Sequence, residues 1–185
     1  MDYTVFDSFP KLYTDRLTLQ LHEEADLDDL YLLRTDPKVM TYMDKPIPTD
    51  KSEVLNRING IRQDFKDKKG INWTIKIKNS SEVIGYMSLW RIDHTNHRVE
   101  IGYALKHKFW KQGISLEAAQ IVINFAFNKL KAHSIVANIN PKNKGSEALL
   151  QKLGFKQEAY FREDFYFDGK YLDSAIFCLL ESDRP

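Results

Sequence analysis

Residues 113–131 constrain this chain more than any other segment. Glu117, Gln120, Asn124, Asn128 and Lys131 fall on one narrow stripe at helical spacing, and nearly every other position is apolar. A helix with so little polar surface must be covered on most sides, and a sheet is the usual cover. The preceding residues supply one. Arg98–Leu105 alternates, with Val99, Ile101, Tyr103 and Leu105 on one face and Glu100, Gly102 and Ala104 on the other, which is the pattern of a strand. A strand that feeds a short loop and then a buried helix commits the chain to an α/β arrangement.

The rest of the chain reads the same way. Residues 16–21 alternate as a strand, with Leu17, Leu19 and Leu21 together. Leu27, Leu30, Tyr31 and Arg34 follow helical spacing up to Asp36-Pro37, where the proline predicts an end. Thr49 is the expected cap of a second helix, striped by Val54, Leu55, Ile58, Ile61 and Phe65 and stopped at Gly70. Strands are expected at 72–77 and 82–92, with turns at 79–81 and 93–97. Beyond the buried helix come a strand at 134–140 and a helix capped by Asn143, with Leu149, Leu150 and Leu153 inward and Gly154 at its end. Residues 155–167 and Lys170–Leu180 pair across Asp168-Gly169, a strong hairpin signal. The expectation is one mixed α/β domain over residues 1–185, with about seven strands and four helices. Its two strand-helix-strand crossovers predict parallel pairing in the second half.

Composition narrows the class of function. Twenty-seven basic and 26 acidic residues leave a net charge of +1, without the basic footprint of a nucleic-acid binder. Lys66, Lys68 and Lys69 read as a solvated helix end. Residues 1–10 carry two Asp and no apolar run, and the apolar stretch at 175–180 is too short to span a membrane, so no signal or membrane segment is expected. The single cysteine, Cys178, sits in that stretch and reads as a buried core thiol, which fits a cytoplasmic location. His22, His94, His97, His107 and His133 form no metal-ligand pattern, so no metal is expected. No Walker loop, GxGxxG, HExxH or GxSxG occurs, which argues against kinase, dehydrogenase, zinc-protease and hydrolase chemistry.

The segment 109–118, Phe-Trp-Lys-Gln-Gly-Ile-Ser-Leu-Glu-Ala, joins the strand to the buried helix. Helix starts leave backbone N–H groups unpaired and carry partial positive charge. Gly113 there lets a ligand approach the backbone, so the loop can cradle a diphosphate. Lys106, Lys108 and Lys111 lie beside it as candidates for a third phosphate. The plainer reading makes Gly113 only a helix-start glycine.

At these residues the chain resembles the GNAT superfamily of N-acetyltransferases, most closely the branch that acetylates ribosomal-protein N-termini. Gln112-Gly113-Ile114-Ser115 fits the second half of the superfamily's phosphate loop, Trp110 is an aromatic typical of the branch, and Lys111 replaces a frequent glycine. Residues 99–105 resemble the strand before that loop. Asn143-Lys144-Gly145-Ser146, followed by Lys152-Leu153-Gly154-Phe155, resembles the Asn-x-x-Ser and Lys-Leu-Gly-Phe segments. The resemblance covers almost the whole chain and implies acetyl-CoA as cosubstrate. It implies that Trp110, Lys111, Gln112, Gly113, Ile114 and Ser115 hold the phosphates, that the backbone at Ala104 and Leu105 pairs with the pantetheine arm, and that Asn143 borders the thioester.

The attacking amine must lose a proton, and Glu100, on the strand beside the acyl arm, is the first candidate base; Glu163 and Asp164 are alternatives. The resemblance makes Ser146 the proton donor to the thiolate, with Tyr160 and Tyr166 as alternatives. Backbone N–H groups near Leu105 are placed to polarise the thioester carbonyl. For the acceptor, branch resemblance favours a protein N-terminus. A polyamine or antibiotic-like amine is the rival, for which carboxylates at Glu23, Glu24, Asp26, Asp28 and Asp29 are candidates. A catalytically idle acyl-CoA sensor is a third reading. Nucleic acid and membrane are not expected partners, and the chain is expected to be a monomer or homodimer.

Overall fold

A computed structural model describes residues 1–184. After a short 3-10 turn, the elements run β1 (Leu12–Tyr13), β2 (Leu17–Leu21), α1 (Leu27–Thr35), α2 (Pro37–Met40), α3 (Lys51–Lys66), β3 (Ile71–Ile77), β4 (Val83–Asp93) and β5 (Arg98–Leu105). They continue with α4 (Ile114–Asn128), β6 (Ser134–Ile139), α5 (Lys144–Lys152), β7 (Lys156–Phe167) and β8 (Lys170–Leu180). All eight strands form one sheet in the order β1-β2-β3-β4-β5-β6-β8-β7. Every neighbouring pair is antiparallel except β5–β6.

The mixed α/β class holds, with eight strands and five α-helices in place of seven and four. The extra strand, β1, is two residues long, too short to show alternation. The extra helix exists because Pro37 starts an element as well as ending one. Asp36 leaves the helical region at ψ 113° and its side chain accepts from Lys38 N–H, while Pro37 takes the first helical position, where no N–H is needed. The cap of α3 is Asp50, which accepts from Ser52 N–H; Thr49 donates instead to Glu53. The α3 helix stops at Lys66, ahead of Gly70, and Lys68 turns the chain at φ 59°. The first crossover makes the expected parallel pair, β5–β6. The second does not, because β8 inserts between β6 and β7 and pairs antiparallel with both.

The two faces of the sheet have separate cores. Against one face, α4 lays down Ala118, Ala119, Val122 and Ala126, all fully buried, over Leu17, Trp73, Met87 and Ile101. Alanines at the contact let the helix come close, and they do not weaken it. Against the other, α1 and α3 bury Leu30, Leu33, Val54 and Ile58 over Tyr86 and Ala104.

One irregularity positions the site. β5 and β6 pair only from Arg98–Glu100 to Ser134–Val136. Past that point β5 stays with β4 as far as Leu105, and β6 stays with β8 as far as Ile139. The sheet therefore opens between them. β4 follows β5 closely here: a Cβ on Gly85 would lie 2.4 Å from the Ala104 carbonyl oxygen, so only glycine fits.

Candidate active site

The opening exposes half of the β5 backbone. Lys106 N–H donates to Ile84 O at 2.8 Å, continuing the antiparallel ladder with β4. By the alternation of that ladder, even positions of β5 face β4, and Ile101, Tyr103 and Leu105 face the gap. The indole N–H of Trp110 donates to Leu105 O at 2.7 Å. Tyr103 N–H and C=O and Leu105 N–H then remain for an extended chain bearing amides, which can add as a strand. Ala104 plays a different part: its backbone faces β4 and its side chain is buried in the α1–α3 core.

The loop that follows is braced by its own side chains. Besides the Trp110 contact, Gln112 Nε2 donates to Lys108 O at 2.8 Å and Arg16 Nη1 to Gln112 O at 3.1 Å. These bonds engage carbonyls, so Trp110 and Gln112 use their polar side-chain atoms to shape the loop. Two residues take positive φ, Lys111 at 60° and Gly113 at 76°. Gly113 is the N-cap of α4, and no side chain caps it. The helix's first N–H groups are thus left for an anion. Ile114 is buried and offers only its N–H, while Ser115 is half-buried. Glu117, at the same helix end, is engaged by Arg16 Nε at 2.6 Å and by Arg16 N–H at 3.0 Å. Lys106 is not free to meet a phosphate: it is buried against Asp29 at 2.7 Å and Glu82 at 3.0 Å. Lys108 also pairs with Glu82, at 2.7 Å. Lys111 alone of the three has no carboxylate partner among the described residues.

Beyond the strand gap lies a cleft of about 540 Å³. Its walls come from both faces of the sheet, since Glu100, Ser88 and Trp90 line it together with Tyr103, Asn143 and Ser146. Only a sheet that has opened allows alternate residues of one strand to meet in one space. On one side, burial pushes the Glu100 carboxyl above its ordinary value, opposed by Arg91, whose Nη1 lies 3.1 Å away. On the other, Tyr103 Oη and Ser146 Oγ are 2.6 Å apart. Burial pushes the Tyr103 phenol up to about 12, with the Ser146 hydrogen bond pulling the other way. Ser146 N–H donates to Asn143 Oδ1 at 3.0 Å, so Asn143 both caps α5 and borders the cleft.

Among the alternatives, Asp164 lines the cleft, whereas Glu163, Tyr160 and Tyr166 do not. Tyr160 donates to Asp173 at the cleft's edge, and Tyr166 is 61% exposed. Tyr42, Tyr86 and Tyr103 also line the cleft, and Tyr103, three residues from Glu100, is the one bonded to Ser146. The alternation places Tyr103 on the correct strand and face but gives it no part in the chemistry. The acidic group at 23–29 lies away from the cleft and is engaged elsewhere: Asp26 with Lys76, Asp28 with Lys51 and Asp29 with Lys106, each at 2.7 Å. Among the described residues no group of three or more His, Cys, Asp or Glu side chains is placed to hold a metal ion. No helix is long and apolar enough to cross a membrane.

A strand gap lined with free amide groups, ending at an uncapped helix behind a glycine loop, can hold an extended amide-bearing chain that ends in a diphosphate. The chain belongs to the GNAT acetyltransferase family, whose acetyltransferase (GNAT) domain model matches residues 16–156. It is 35% identical over 172 residues to the uncharacterised N-acetyltransferase p20 of Bacillus licheniformis, covering 93% of this chain and 97% of that protein. A ribosomal-protein α-N-acetyltransferase solved with coenzyme A shares the fold at TM-score 0.84 and 21% identity, over 92% of this chain and 98% of that one. The spermidine N-acetyltransferase of Vibrio cholerae, solved with CoA and spermine, does so at TM-score 0.81 and 20% identity, over 92% and 98%. The protein is an acetyl-CoA-dependent N-acetyltransferase.

Proposed function

We propose that this enzyme acetylates the N-terminal amine of a protein or peptide, with Glu100 accepting the amine proton and the Ser146–Tyr103 pair donating one to the departing sulfur. One observation carries the reading: the cleft passes through the sheet with a carboxylate on one face and a hydroxyl pair on the other, three residues apart on the same strand. Acetyl-CoA brings an already activated thioester, so no residue need form a covalent intermediate. The residues have only to orient the amine and move two protons. A carboxylate with a raised pKa is a better base than an ordinary one, yet still weak. It suits an α-amine, of which about one in ten is neutral at pH 7, better than a lysine-like amine, of which only about one in a few thousand is. The Asn143–Ser146 bond and the 2.6 Å Tyr103 contact hold the Ser146 hydroxyl at the mouth of the gap.

The test is a screen of Ser- and Ala-led peptides and spermidine with acetyl-CoA, read by free-thiol release, followed by a pH–rate profile of Glu100→Gln. Turnover at neutral pH is expected to fall about 10²–10⁴-fold and to recover in part as pH rises, because more amine arrives neutral. The wild-type acid limb should lie above the ordinary carboxylate range, since the Glu100 pKa is raised. Stability gives a second check. A carboxyl whose folded pKa exceeds its unfolded value binds more protons when folded, so its contribution is lost as pH rises through that window. Replacing it with Gln should therefore hold or raise Tm at neutral pH. Parallel profiles offset by less than about threefold, with a lowered Tm, would make Glu100 a structural residue and turn attention to Asp164.

A further inference from the structure

Three cations lie close together at one side of the cleft. Lys45 and Arg57 line the cleft itself. Arg34 and Arg57 line a small adjoining chamber with His22, and the two spaces share Arg57, Ile61, Asn72 and Tyr86 as walls. Among the described residues no carboxylate lies within 4.0 Å of Arg34, Lys45 or Arg57. The acids that share the cleft have other partners or stand exposed. Asp44 accepts from Asn140, Glu100 from Arg91, and Asp173 from Tyr160 and the Glu163 N–H, while Asp64 and Asp164 are exposed.

The cluster is also incomplete in its hydrogen bonds. Arg34 Nη2 donates to Pro46 O at 3.3 Å, but its Nη1 is buried without a partner. His22 is 2% exposed; its Nε2 meets Asn72 Oδ1 at 2.8 Å, and its Nδ1 is buried without a partner. A buried guanidinium N–H left unpaired is costly, as are like charges held close together. Lys45, although exposed at the surface, feels both arginines: its ammonium is pushed below its ordinary value, first by lost hydration and then by Arg57 and Arg34, with Glu100 opposing. The chamber, at about 10 Å³, has room for no more than one water. Such a water can complete the hydrogen bonds of Arg34 and His22. It cannot neutralise three positive charges.

We propose that Lys45 and Arg57, backed by Arg34, form an anion subsite in the acceptor cleft, and that the amine acceptor carries a carboxylate or phosphate group close to its amine. The proposal rests on the acceptor reading given above and sharpens it. Guanidinium forks suit both anions, and their bonds to ionised oxygens are the strong ones. A second positive charge placed beside these cations is disfavoured by them.

The experiment compares kcat/KM for Ser-led hexapeptides in which one Asp is moved through the second to fifth positions, against matched Asn, Lys and phosphoserine peptides. At one placement the Asp peptide should exceed its Asn partner by roughly tenfold or more, and Lys should fall below Asn. Phosphoserine exceeding Asp identifies phosphate as the preferred anion; the reverse identifies carboxylate. Arg57→Gln and, at an exposed position that tolerates change, Lys45→Gln should each bring the Asp-to-Asn ratio toward one. Arg57→Glu should turn the preference toward Lys. A flat ratio at every placement, or a wild-type preference for Lys, overturns the subsite while leaving peptide acetylation intact. If no peptide is acetylated, the acceptor reading fails, and the subsite is judged by calorimetry of N-acetylated Asp and Asn peptides on the CoA-loaded protein. Tighter binding of the Asp form, lost in Arg57→Gln, keeps the subsite; equal binding ends it.

Discussion

At the loop end of the cleft the groups left for a ligand are backbone N–H groups from one short run, residues 103–116, braced by Arg16, Trp110 and Gln112. At the acceptor end they are side chains gathered from many elements: Lys45 before α3, Arg57 on α3, Asn72 on β3, Trp90 on β4, Glu100 on β5, Ser146 on α5 and Asp173 on β8. The difference separates two kinds of specificity. A backbone cradle depends on conformation and on the absence of a Cβ or a charge, so most side-chain changes around it leave its ligand unchanged. A side-chain cleft can be re-addressed one residue at a time.

Gly113→Asp should break the loop end with the largest effect. The position has φ 76° and an uncapped helix start behind it, and a Cβ there would lie 3.4 Å from Arg16 Nη2. An aspartate adds a carboxylate where an anion is to sit, close to the brace that holds Gln112. CoA affinity measured by calorimetry is expected to fall roughly 100-fold or more. An unchanged affinity would mean that the diphosphate is held elsewhere and that the contrast between the two ends is wrong.

A smaller effect is expected where the ends meet. Ser146→Ala and Tyr103→Phe should each lower turnover by roughly tenfold with CoA affinity nearly intact, because a donor to the leaving sulfur acts mainly in the transition state. The two hydroxyls are 2.6 Å apart, so the double variant should cost less than the product of the single ones. Multiplicative losses would show two independent roles in place of one relay.

The same contrast explains what could be read in the sequence. Strand β5 has the expected limits, Arg98–Leu105, because its alternation is local. Asp168 and Gly169 turn the hairpin at φ 47° and 76°, and Asn143 caps α5, again from local chemistry. The backbone course of the loop end, though not the partners of its lysines, was legible for that reason. The acceptor end was not. Tyr103 and Ser146 are 43 positions apart, and their contact depends on how far β5 and β6 separate. Lys106 reads as a phosphate ligand until the fold places Asp29, 77 positions away, against its ammonium. The insertion of β8 between β6 and β7 has no local signature either, since antiparallel pairing of β7 and β8 is compatible with either order.

Lys111 tests the contrast at its most sensitive point, because it carries both a backbone property and a charge at the loop end. Its φ of 60° is a glycine-like conformation in a lysine, at a cost of about 1–2 kcal/mol. Lys111→Gly removes that strain but gives the unfolded chain more freedom, worth about 0.4–1 kcal/mol in the opposite direction. The net gain is under about 1.5 kcal/mol, a rise in Tm of no more than about 3–6 °C for a chain this size. The substitution also removes the one loop lysine without a carboxylate partner, so CoA affinity should fall by a few-fold, and less at high salt, where that attraction is already screened. Lys111→Ala separates the two effects, because it loses the charge and keeps the strain. It should match the affinity loss of the glycine variant without the gain in Tm. If either variant weakened CoA binding as much as Gly113→Asp does, the Lys111 side chain would be the principal phosphate ligand, and the loop end would be a side-chain site like the acceptor end.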